Sequence, residues 1–128
     1  MKGRFSLLLL LACTLGCGIN ELLHNNERRD KERVAKIQIL ELQAALQLFS
    51  FDLGRYPMGD EGLEALLRNP GSMDTWRGPY LSKPIPRDPW GETYAYRCPG
   101  LHGDYDLSSF GADGSEGSED DIVSWDKR

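Results

Sequence analysis

An α+β fold is predicted from three observations. Residues 31–53 carry a helical apolar period, two alternating segments at 93–97 and 105–109 flank a turn, and a glycine-rich acidic loop follows between apolar flanks. With 128 residues, 40% hydrophobic and 27% charged, the chain has room for one core. Its net charge is −5, and its one basic cluster, Arg28–Lys36, is interleaved with Glu27, Asp30 and Glu32. That is the pattern of a solvated helix face and not of a phosphate-binding patch, so no nucleic acid partner is expected.

Residues 1–16 read as an export signal: a positive start with Lys2 and Arg4, then the apolar run Phe5–Leu15. The run falls well short of the roughly 20 residues a spanning helix needs. Its ending, Leu15-Gly16-Cys17, resembles a bacterial lipoprotein signal, which implies lipidation of Cys17 as the mature N-terminus and a periplasm-facing, lipid-anchored place in the cell envelope. Leu10-Leu11-Ala12-Cys13 is a competing site, Thr14 stands where such signals have an aliphatic residue, and a plain secretory signal is the alternative. After processing only Cys17 and Cys98 remain, so no disulfide framework is expected. Residues 17–30 are polar and read as a tether, leaving 31–128 as the globular domain.

In the helix, Ala35, Ile39, Leu42, Leu46, Phe49 and Leu53 recur at alternating steps of four and three, which makes them the core face. Ile37, Leu40, Ala44, Leu48 and Phe51 form a second stripe on roughly the opposite side, either covered by a loop or left as a surface for a partner. Gly54 is a C-cap candidate, and Asp60–Arg68 reads as a short second helix capped by Asp60. Met73–Asp88 is a loop carrying Trp76 and Tyr80, and Asp88-Pro89-Trp90-Gly91 is a turn before the strands.

In the stretch Ser108–Ile122, Asp113, Glu116, Glu119, Asp120 and Asp121 crowd together with Gly111, Gly114 and Gly117, and no Lys or Arg stands between Arg97 and Lys127. Mutually repelling carboxylates leave such a loop either solvated or closed around a hard cation that prefers oxygen ligands. The clamps on either side, Tyr105 and Leu107 before and Ile122, Val123 and Trp125 after, favour a closed loop. The spacing is not that of an EF-hand, because Ser115 stands two after Asp113 and no glycine stands five after it.

Enzyme signatures are weak. His102, Asp104, Asp106 and Ser108 lie close in sequence, but no G-x-S-x-G elbow, H-E-x-x-H, P-loop or C-x-x-C pair accompanies them, and the two aspartates read as a polar strand face beside the cation. Trp76, Tyr80 and Trp90 suit a sugar-stacking platform less well than the role of anchors that dock a proline-rich loop.

Between Glu32 and Trp125 the motifs come in a telling order: D-x-G-R-Y-P (Asp52, Gly54–Pro57), E-G-L-x-A-L (Glu61–Leu66), W-x-G-P-Y-L (Trp76–Leu81) and D-P-W-G-x-x-Y-x-Y (Asp88–Tyr96). P-G-x-H-G-x-Y-D-L-x-S (Pro99–Ser109) and G-A-D-G (Gly111–Gly114) follow, ahead of D-D-I and a tryptophan. In these the chain resembles the major-pseudopilin family, the G component, of the bacterial type II secretion system. The resemblance implies a pilin-like fold, a long N-terminal helix on a small antiparallel sheet with a calcium-stabilised C-terminal loop. By position, the Ca²⁺ ligands fall on the carbonyls of Phe110 and Ser115, the side chains of Asp113 and Asp120, and Ser118. It also implies non-enzymatic work in a periplasmic pseudopilus that helps drive folded proteins out through the outer membrane, with other pseudopilins, secretion-system subunits or copies of itself as partners. The front departs from the family: Glu21 falls at the fifth position after Gly16, but Leu22-Leu23-His24-Asn25-Asn26 stands where the family has a continuous hydrophobic helix. Two functions follow: a secretion-system component, pseudopilin-like or accessory, and alternatively a free-standing calcium-binding envelope lipoprotein.

Overall fold

The structure is a computed structural model that describes residues 4–125, with side chains from residue 16 onward. It contains the helix α1 (Arg4–Leu53), a 3₁₀ turn (Leu63–Leu66) and the strands β1 (Ala95–Arg97), β2 (Asp106–Ser109) and β3 (Ile122–Val123). The chain divides into two compact units, residues 1–31 and 32–128. Among the described residues no helix is long and apolar enough to cross a membrane.

The first unit is helical, which corrects the expected tether at 17–30. The physical reason lies in its composition: beyond Gly18 it holds no glycine or proline to break the helix, and Glu27 pairs with Lys31 one turn on at 3.3 Å. The side chains of 1–15, and with them the apolar run of the expected signal, lie outside the described residues. Cys17 is an exposed free thiol.

In the second unit the expected core stripe is the one that is buried. Ala35, Ile39, Leu42, Leu46 and Phe49 join Leu63, Ala65, Leu66, Tyr94, Leu107 and Ile122 in one cluster, with Leu53 at its margin. The helix stops at Gly54, whose φ of 73° a side-chain-bearing residue rarely adopts and whose N–H donates to the Ser50 carbonyl at 2.8 Å. Arg55 then forks onto both carboxylate oxygens of Glu61, at 2.7 and 2.8 Å, and Glu61 Oε2 also accepts the Met58 N–H. The Arg55 hydrogen bonds hold the Glu61 carboxyl below the usual range.

The second helix is shorter than expected: 3₁₀ over Leu63–Leu66 instead of a helix over 60–68. Asp60 does not cap it, because the residue before the turn is Gly62 at φ 62°, and no side chain closes that end. Trp76, Tyr80 and Trp90 all pack against the core as anchors. Trp76 Nε1 donates to the Ala65 carbonyl at 2.9 Å, and Tyr80 donates its hydroxyl to Asp52 at 2.8 Å while its ring meets Phe49 edge-on.

The sheet is antiparallel in the order β1-β2-β3, with Tyr96 opposite Leu107 and Ser109 opposite Ile122. The strands are shorter than the segments 93–97 and 105–109, and β3 is an addition: its two residues are too few to show alternation. All four residues of β2 are buried, so Asp106 and Ser108 do not form an open polar face. Asp106 is occupied within the β1–β2 turn, where it accepts the N–H groups of Leu101 and His102 at 3.0 Å each and meets His102 Nδ1 at 2.9 Å. Burial pushes its carboxyl up, but the imidazole and the two amides outweigh that and hold it below the ordinary range. His102 stacks on Trp125 with ring centres 4.1 Å apart.

Candidate metal site

The acidic loop connects β2 to β3, so both of its ends are fixed by the sheet. Gly111, Gly114 and Gly117 have φ of 66°, 66° and 85°, as the sequence demands. Gly111 has a second reason to lack a side chain: a Cβ there would stand 2.3 Å from the Asp120 carbonyl oxygen and 2.8 Å from Asp120 Oδ2. The loop is therefore folded back on itself, with its start pressed against Asp120.

Asp113, Asp120 and Asp121 each offer a carboxylate oxygen, and these three atoms lie within 4.8 Å of one another. Of the expected ligands, Asp113, Ser115, Ser118 and Asp120 converge. Ser118 Oγ sits within hydrogen-bond reach of Asp113 Oδ1 (3.1 Å), the Ser115 carbonyl (3.0 Å), an Asp120 oxygen and Asp121 Oδ1 (3.0 Å). One hydroxyl proton faces four acceptors, so at least three of those oxygens face each other without it. Phe110 is half-buried at the loop's root, directly before Gly111.

Backbone amides relieve part of the repulsion. Asp113 N–H donates to Asp120 Oδ2 at 3.0 Å, Ser115 N–H to Asp113 Oδ1 at 2.8 Å, and Gly117 N–H to Asp121 Oδ2 at 2.7 Å. The Ser118 hydroxyl first, and then the Asp113 amide, hold the Asp120 carboxyl below the ordinary carboxylate range. Glu116 instead reaches Arg97 on β1 at 3.5 Å, a counter-charge that sequence distance conceals.

The donors gathered here are all oxygens, with neither histidine nor cysteine among them. That fits a hard cation with flexible coordination and does not suit Zn²⁺. Asp121 is a third converging carboxylate, outside the ligand set expected from the sequence. The signal was present in the adjacent pair Asp120-Asp121, whose side chains both turn inward because the chain bends there before entering β3.

A helix packed on a small antiparallel meander, with an oxygen-lined loop between its last two strands, defines a pilin-like subunit. A search against protein-family models matches residues 22–125 to "Type II secretion system (T2SS), protein G". The chain belongs to the protein G family of the type II secretion system. The match begins ten residues before Glu32, so most of the segment 17–30 lies inside the matched region. Relatives described as type II secretion system core protein G are 42% identical in Pseudomonas aeruginosa, over 75% of this chain and 72% of that protein. In Vibrio cholerae the identity is 39%, over 84% and 76%. Among solved structures, the major pseudopilin from the type 2 secretion system of enterohaemorrhagic Escherichia coli superimposes with a TM-score of 0.71 at 32% identity, covering 80% of this chain and 89% of that one. Membership places the chain in the cell envelope as a component of the secretion system.

Proposed function

We propose that this chain works as a pseudopilin-type subunit that aids export of folded proteins across the outer membrane by assembling, with no reaction of its own to catalyse. The observation that carries this is the second helix stripe. Ile37 is 50% exposed, Leu40 64%, Leu48 57% and Phe51 88%, and Ala44 between them is exposed as well. An apolar stripe of this extent, opposite a face already committed to the core, suits coverage by a partner. The partners on this reading are other pseudopilin or secretion-system subunits, or a second copy of the chain. Leu48→Glu should leave the thermal midpoint nearly unchanged, within about 0.5 kcal/mol, and abolish co-purification with pseudopilin subunits. Unfolding of the variant, or undiminished co-purification, defeats the assignment.

Ca²⁺ is the cofactor of this reading, held by Asp113 and Asp120 with Ser118, the carbonyls of Phe110 and Ser115, and Asp121 in addition. When bound it supplies the positive charge that lets the carboxylates close together. The anchor is a lipid on Cys17, supported by the Gly16-Cys17 pair and the exposed thiol. Mass spectrometry of the membrane fraction should find an acylated peptide beginning at Cys17, and an unmodified Cys17 removes the anchor from the reading. That same cysteine favours a second reading, a free-standing calcium-binding envelope lipoprotein, which predicts an acylated chain that never co-purifies with secretion subunits.

A further inference from the structure

A buried polar pair, Asp88 and Ser109, lies at the foot of the acidic loop. Asp88 is 4% exposed and Ser109 wholly buried. Ser109 Oγ donates to Asp88 Oδ2 at 2.6 Å and accepts the Gly111 N–H at 3.2 Å. A carboxylate has only lone pairs to offer, so the hydroxyl proton belongs to Asp88 and the hydroxyl lone pair is left for Gly111. The other carboxylate oxygen is held as firmly, accepting the N–H groups of Trp90 at 3.1 Å and Glu92 at 2.8 Å. Asp88 cannot turn away without releasing both of these amides.

The Gly111 N–H shares a peptide plane with the Phe110 carbonyl, and in a trans peptide the two point in opposite directions. Fixing the N–H on Ser109 therefore turns the carbonyl away from Ser109. On its other side Gly111 meets Asp120, where there is no room even for a Cβ. The plane is wedged between a buried hydrogen-bond relay and the backbone of one of the converging aspartates.

The geometry points to Asp88 and Ser109 as positioning residues for the cation loop, a relay from the turn before β1 that sets the Phe110–Gly111 peptide against Asp120. This rests on the calcium reading above. Outer partners of this kind orient ligands and do not touch the ion.

Calorimetric titration of the full chain with Ca²⁺, paired with melting in chelator, tests it. Ser109→Ala should weaken Ca²⁺ binding about tenfold or more, and the rise in midpoint on adding Ca²⁺ should shrink with it. Ser109→Thr, which keeps the hydroxyl, should retain affinity. A merely structural role lowers the calcium-free midpoint and leaves the dissociation constant alone, which overturns the proposal. Should Ser109→Ala fail to fold, Asp88→Asn takes its place, since it keeps an acceptor for Trp90 and Glu92 but loses the carboxylate that fixes the hydroxyl proton. An unchanged constant in that variant is equally fatal. If wild type itself takes up no Ca²⁺, with Asp113→Ala as the blank, the calcium reading falls and the relay with it. Binding by wild type with intact binding by the variants overturns the relay alone.

Discussion

The segment between the 3₁₀ turn and β1 and the segment between β2 and β3 both lack regular structure, and both are dense in turn-forming residues. They are held in opposite ways. The first is pinned by side chains that carry their own driving force: Trp76 and Tyr80 pack on the core, and each places its polar tip on an acceptor of the domain. The second exposes most of its residues and brings three carboxylates within 4.8 Å, with Ser118 as the single hydroxyl shared among their oxygens. Burial of the two rings is itself indifferent to ions and to pH, although the Tyr80 hydroxyl rests on the Asp52 carboxylate. A loop of clustered carboxylates depends on both. One connection is held by buried rings, and the other by backbone amides and one hydroxyl set among its carboxylates.

The contrast can be broken most severely from the first loop. Trp76→Ala should cost about 3 kcal/mol, as large-to-small changes against a core do, and denaturant unfolding should give the same loss with calcium or with chelator. A loss that vanishes in chelator would mean that the two loops are not independent. The second effect is calcium removal itself. At free calcium a hundredfold above the dissociation constant, the ion should add about 2.7 kcal/mol, seen as a fall in melting midpoint on chelation. Trp76→Ala should keep that response and Asp113→Ala should lose it. A wild-type midpoint that ignores chelator makes the loop a solvated acidic segment.

Acid sharpens the comparison with the smallest effect. Asp106 and Asp120 have folded-state pKa values lowered below the ordinary range. Their stability is therefore fully present above the unfolded carboxylate value of about 4 and is lost as pH falls through the folded values. Asp106→Asn, which weakens the grip on His102 and the turn amides, should cost about 1 kcal/mol near neutrality and progressively less in acid. A constant difference across a pH series of denaturant curves would show that the carboxylate's charge plays no part.

Much of this was legible in the chain. The core stripe of α1 declared itself because a 3.6-residue period survives any tertiary arrangement, and the second stripe was visible for the same reason. Whether that stripe is covered depends on the path of distant loops, and there periodicity is silent. The segment 60–68 misled because its apolar spacing suits a helix, while Gly62 at a positive φ of 62° and the engagement of Glu61 with Arg55 leave room for only one 3₁₀ turn. β3 was invisible at two residues. In the acidic loop the convergence of Asp113, Ser118 and Asp120 followed from composition joined to a family resemblance. The inward turn of Asp121 and the reach of Arg97 to Glu116 did not, since both depend on how β1 and β3 lie beside β2. Asp88 read only as a turn former, because the partner that gives it a second task stands 21 residues away.

Ser124 has a consequence for how the domain is made. Its N–H and hydroxyl oxygen clasp the two backbone groups of Leu107, at 2.9 and 3.1 Å, and its carbonyl receives Gln43 from α1 across 81 residues. Ile122, two positions earlier, completes the core. During synthesis the helix stripe therefore emerges long before the segment that completes its cover, and pairings at such separation form slowly. The interior cannot shut until Ser124 has been made, so until then the apolar face of the helix stays open.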